Sequence, residues 1–105
     1  MKLKIAVYAN KDATKFKTRI VEGEIIKQKP YGLTFFLHEV VQEDFGDPWN
    51  YSISEYETGF NCRYGEDKVS VLKKFDKLVK DTPKEKFLEI INDCKTTYGI
   101  INKLP

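Results

Sequence analysis

The stretch Trp49-Asn50-Tyr51-Ser52-Ile53-Ser54-Glu55-Tyr56-Glu57-Thr58-Gly59-Phe60-Asn61-Cys62-Arg63-Tyr64 decides the fold class. Trp49, Tyr51 and Ile53 alternate with Asn50, Ser52 and Ser54, the period of a strand with one buried side. Thr58-Gly59 reads as a turn, and Phe60, Cys62 and Tyr64 resume the alternation beyond it, so the stretch predicts a β-hairpin. At Gly65 the period changes. Val71, Leu72, Phe75, Leu78 and Val79 fall at helical spacing, with Asp67 or Ser70 placed to cap the first turn. Thr82-Pro83-Lys84-Glu85 then carries two start signals, a proline suited to the first helical position and a Thr/Glu capping box. The second predicted helix lays Phe87, Ile91, Cys94 and Tyr98 along one stripe and ends at Gly99.

Working back towards the start, Leu3, Ile5 and Val7 alternate with Lys2, Lys4 and Ala6, which predicts another half-buried strand. Residues 10–16 read as a loop. Residues 17–28 are rich in strand formers, and Gly23 interrupts them where a bulge or tight bend is expected. Pro30-Tyr31-Gly32 supplies a turn, after which Leu33, Phe35 and Leu37 oppose Thr34, Phe36 and His38. Residues 42–48 read as a polar loop. Strands followed by helices predict a single α+β domain over residues 1–105: an antiparallel sheet of four to five strands with two C-terminal helices on one face.

At 105 residues the chain suits one domain. Its charged fraction of 32% exceeds the usual quarter, which favours a soluble globule over a membrane protein. No apolar run approaches the ~20 residues of a spanning helix, and Asn10, Lys11 and Asp12 cut the first apolar stretch short of a signal peptide. Cys62 and Cys94 are too few for a disulfide framework and too far apart for a redox or zinc motif. The expected setting is the cytoplasm, with reduced thiols.

Charge is blocked along the chain. Residues 1–38 hold eight cations against three anions, residues 39–67 hold Arg63 against eight anions, and residues 68–105 hold nine cations against five. The total of +2 hides an acidic centre of −7, and local fields rather than net charge select partners.

Catalytic and metal patterns are weak. His38-Glu39 lacks a second histidine four residues on, and Glu39, Glu43, Asp44 and Asp47 lack calcium-loop spacing. A carboxylate-bound metal hydrolase using Glu43 and Asp44 is the most distant of the readings. The only histidine would have to activate Cys62 or Cys94, both in apolar stripes. The reading is therefore of a non-enzyme, without cofactor and without metal. Trp49, Tyr51, Phe35, Phe60 and Tyr64 are assigned to the helix-covered face. Phe36 and Tyr56 fall by parity on the opposite face, joined by Tyr8, and with Glu39, Glu55 and Glu57 they are the candidate protein-binding residues if nothing covers that face. Lys73, Lys77 and Lys80 line one side of the first helix and are the candidate nucleic-acid-binding residues.

The hairpin from Trp49 to Phe60, running into Gly65 and a lysine-rich helix, resembles small bacteriophage and mobile-element proteins that pair a W-x-V/I-x-x-Y-x-T-G hairpin with an amphipathic helix. The likeness covers about residues 49–91. It implies an accessory role in a bacterium or phage and no active-site residues. The expected function is that of a small intracellular adaptor, monomeric or homodimeric, binding another protein through its sheet face or acidic hairpin. The alternative is an accessory protein that binds nucleic acid through its lysine faces.

Overall fold

A computed structural model describes residues 1–8, 16–40 and 50–103. Five strands, β1 (Lys2–Tyr8), β2 (Phe16–Ile25), β3 (Phe35–Glu39), β4 (Tyr51–Glu55) and β5 (Asn61–Gly65), precede two helices, α1 (Lys68–Asp81) and α2 (Lys84–Tyr98). The strands form one sheet in chain order, each antiparallel to its neighbour. The α+β architecture with helices packed against the sheet is as the sequence predicts.

The helix-covered core gathers Ile26, Phe35, Leu37 and Ile53 from the sheet side with Val71 and Phe75 of α1 and Phe87 and Ile91 of α2. These are the residues that strand and helix periodicity place on facing sides. Phe35 sits at its centre, 4.7 Å from the Phe75 ring and 6.0 Å from Phe87. Asp67 caps α1 by accepting the Ser70 amide at 2.7 Å. The predicted Thr82/Glu85 capping box does not form. Thr82 instead closes the C-terminus of α1, Pro83 stands at the N-cap of α2, and no side chain caps that helix. Gly99 ends α2 with φ of 72°, a conformation that costs an L-residue energy and glycine little.

Gly23 explains how the sheet covers its second face. Residues up to Glu22 of β2 pair with β1, and Gly23, Glu24 and Ile25 pair with β3. A Cβ on Gly23 would stand 2.8 Å from Phe36 and 2.9 Å from Leu3, so only glycine lets the strand change partner while both side chains pack over it. The sheet therefore curls. Leu3, Ile5, Val21, Phe36 and Tyr56 meet in a second core, with Ile25 against it. Phe36 is fully buried and Tyr56 is 7% exposed. The surface expected from these two residues is thus an interior, because β1 and the start of β2 fold back over it.

A seam holds the curl. The Ala6 amide donates to the Gly59 carbonyl at 3.0 Å. Asn102, just past α2, accepts the Lys4 amide at 2.9 Å and donates to the carbonyls of Lys4 at 2.7 Å and Tyr56 at 2.8 Å. One side chain thereby serves the outer edge of β1 as a neighbouring strand would. The irregularity lies between Ile53 and Ser54 on β4, where Cys62 is the extra residue of β5. That bulge sets Tyr64 opposite Ser52, away from the face assigned to it by simple alternation. Trp49 lies outside the described residues, as do Glu43, Asp44 and Asp47, and the side chain of Tyr8 is not described.

Candidate functional site

The pairing of β2 with β3 stops at Gly23 opposite His38, and beyond that point a groove of about 540 Å³ opens between the two strands. Leu37 lies across from Glu24, and Tyr51 across from Glu39, so all four side chains share the helix side of the sheet. Glu22, two residues before Glu24, joins them by strand alternation. Lys68, the first residue of α1, borders the groove and holds its Nζ 5.8 Å from the centroid of the Tyr51 ring. The groove is thus lined by three carboxylates, and the chain's own Lys68 ammonium stands against its one aromatic ring. Glu22 also accepts the Met1 ammonium at 3.2 Å, whereas Glu24 and Glu39 are in no ion pair with a described residue.

His38 lies at the base of this groove and is 3% exposed. Its ring stacks at a tilt on Phe36, centroids 5.3 Å apart, on the second-core side of the sheet. Nδ1 is 2.7 Å from the Glu39 carbonyl and Nε2 is 2.7 Å from Ser54 Oγ. Ser54 Oγ is 2.7 Å from Asn61 Oδ1, Ser52 Oγ is 3.0 Å from the same atom, and Asn61 Nδ2 is 3.4 Å from the Ala6 carbonyl. Burial lowers the pKa of His38, opposed by its hydrogen bond to the Glu39 carbonyl and by Asn61. A serine 2.7 Å from an imidazole has the spacing of a nucleophile and its base. Ser54, however, is fully buried, so no substrate carbonyl reaches its Oγ.

The acidic hairpin is largely consumed by its own fold. Glu55 is 1% exposed, and its carboxylate accepts the Glu57 amide at 3.2 Å and the Thr58 amide and hydroxyl at 2.7 Å each. Glu57 pairs with Lys95 of α2 at 3.3 Å. Asp67 is the α1 cap. Of the five candidate protein-binding residues, Phe36, Tyr56 and Glu55 are therefore interior, Glu57 is held by a lysine, and Glu39 alone stands exposed, in the groove. Sequence reading missed Glu22, Glu24 and Tyr51 as its companions, although Gly23 marked the bend that opens the groove.

Lys73, Lys77 and Lys80 are exposed along α1 as expected, and none is in an ion pair with a described residue. Among the described residues, no group of three or more His, Cys, Asp or Glu is placed to hold a metal ion. No described helix is long and apolar enough to cross a membrane. A scan of protein-family models, a search of curated proteins and a search of solved structures each find nothing that matches the chain.

Proposed function

We propose that the protein is a small non-enzymatic adaptor, of phage or mobile-element type and acting in the cytoplasm, that binds a protein partner by a lysine or arginine side chain laid in the β2–β3 groove. The observation that carries this reading is that Glu24, Glu39 and Tyr51 line one groove, with the Lys68 ammonium 5.8 Å from the Tyr51 ring. An aromatic face and nearby carboxylates attract a cation through the ring quadrupole and Coulomb interaction, and a partner's cation would exchange with Lys68. The reduced thiols of Cys62 and Cys94 suit an intracellular setting.

The test is an amide-shift titration with a lysine-rich decapeptide, using its fully acetylated form as control. Shifts centred on Glu24, Glu39, Tyr51 and Lys68 are expected, weakened about fivefold or more in the Glu24→Gln/Glu39→Gln protein, as two exposed charge contacts would give. Equal response to the acetylated peptide, or shifts confined to other surfaces, would refute the reading.

The exposed row Lys73, Lys77 and Lys80 favours a second reading, phosphate contact with a nucleic acid. Retention on DNA or RNA that falls steeply with salt and is lost when all three become Glu would select it over the first.

A further inference from the structure

The hydrogen bonds from His38 to the seam contain a proton count that two different arrangements satisfy. The Glu39 carbonyl can only accept, so at 2.7 Å His38 Nδ1 carries a hydrogen in either case. With Asn61 Oδ1 towards the two hydroxyls, Ser54 gives its single proton to Asn61. Nε2, 2.7 Å from Ser54 Oγ, must then donate as well, which requires the imidazolium. In that arrangement Asn61 Nδ2 faces the Ala6 carbonyl at 3.4 Å, on the β1 edge where the sheet closes. With His38 neutral, Nε2 has only a lone pair and takes the Ser54 proton. Ser54 Oγ must then accept, and it does so once the Asn61 amide turns by half a rotation. The two hydrogens of Nδ2 then serve Ser54 and Ser52, and Asn61 Oδ1 is left facing the Ala6 carbonyl, acceptor against acceptor.

We propose that His38 is a proton sensor whose charge state is relayed by Ser54 to the Asn61 amide, so that protonation gives the Ala6 carbonyl a donor and deprotonation removes it. The relay needs no change in backbone path, because each member has a hydrogen to redirect or an amide to turn. Its input is set by the surroundings of the ring. On the ring's side of the sheet the ionisable side chains are Tyr56 against Phe36, Tyr64 of β5 opposite Ser52, and Arg19 and Lys17 of β2 by alternation from Val21, while Glu22, Glu24, Glu39, Tyr51 and Lys68 line the groove on the helix side. Both ring nitrogens bond groups that do not titrate, the Glu39 carbonyl and the Ser54 hydroxyl, so the proton that charges the ring is taken from solvent. Burial without a paired carboxylate keeps the ring neutral near pH 7, and acidification drives the relay. The inference stands whether or not the groove binds a partner.

The experiment is a pH titration followed by NMR of the His38 ring nitrogens, the Asn61 side-chain amide and the Ala6 carbonyl carbon in the full chain. The Asn61 and Ala6 signals are expected to move with the midpoint of His38. In Ser54→Ala the ring still titrates, while Asn61 and Ala6 lose that midpoint. His38→Gln, which keeps the ring's hydrogen-bonding size without its titration, removes the midpoint from both the Asn61 and the Ala6 signals. Asn61 and Ala6 signals indifferent to the His38 transition in the unsubstituted protein would overturn the proposal. So would a ring that stays neutral down to the acid unfolding of the chain.

Discussion

Replacing Asn102 by alanine tests the closure of the sheet at its most concentrated point. The change removes three hydrogen bonds: one from the Lys4 amide, one to the Lys4 carbonyl and one to the Tyr56 carbonyl. The Lys4 groups lie at a partly exposed edge where water can replace the amide, so each bond contributes about 0.5–1 kcal/mol. The Tyr56 carbonyl is buried, and losing its donor costs about 1–2 kcal/mol. The sum is about 2–4 kcal/mol, a large part of the stability of a domain this size. Chemical denaturation followed by circular dichroism should show that loss, with a fall in Tm on the order of 10–20 °C. Exchange of the Lys4 amide hydrogen should accelerate. Asn102→Asp discriminates further. At neutral pH it sets a carboxylate against the Lys4 and Tyr56 carbonyls, so it should be at least as destabilising as alanine. A loss below about 0.5 kcal/mol in Asn102→Ala, with unchanged exchange at Lys4, would show that the β1 edge is not held this way and that the second core closes without the seam.

Gly59→Ala should cost about 2–4 kcal/mol, since φ is +66° and the new Cβ would stand 2.8 Å from the Ala6 nitrogen. Gly32→Ala, with φ of +79° and nothing within 4 Å, supplies the strain alone at about 1–2 kcal/mol, and equal losses in the two variants would deny the close approach at the seam. Burial lowers the pKa of His38 in the folded chain, so its contribution to stability is complete above 6.5 and declines as pH falls through 6.5 towards the folded value. Denaturation midpoints across that window should lose this slope in His38→Gln, and an unchanged slope would assign it to other groups. Desolvation followed by the nearby Glu55 charge pushes the Cys62 thiol up to about 12 and the Cys94 thiol to about 11. A thiol reagent at pH 8 should therefore label the native protein far more slowly than the unfolded one, and equal rates would contradict the burial of both sulfurs.

What could be read from the chain and what could not divides along the range of the interactions. The alternation around Ile53 and the stripe from Val71 to Phe75 are local patterns that report which side of an element is apolar. Sheet and helices came correctly from them. The same parity put Phe36 and Tyr56 correctly on the face away from the helices, but parity says nothing about what lies above a face. That answer depends on Asn102 reaching Lys4 across 98 residues of sequence and on Leu3 packing over Gly23. The failed capping box at Thr82 has a nearer cause. α1 runs to Asp81, so Thr82 donates its amide to the Leu78 carbonyl and is spent closing one helix instead of opening the next.

Charge was misread for a physical reason that also locates the groove. Summing over residues 39–67 treats each carboxylate as surface, yet turns and helix starts hold free amides that carboxylates satisfy. Glu55 sits two and three residues before the amides it accepts, and Asp67 three before the amide it caps, so both were legible locally as structural acids. Glu57 left the surface by meeting Lys95, which no local pattern announces. What remains of the block in the groove, Glu39, gains neighbours from the stretch counted as basic. Antiparallel pairing of β2 with β3 brings Glu22 and Glu24 to it, while Lys27 and Lys29 fall beyond the strand. A field at a protein surface is the sum over residues that the sheet makes adjacent. Here that sum is acidic at a place where neither neighbouring sequence block is informative on its own.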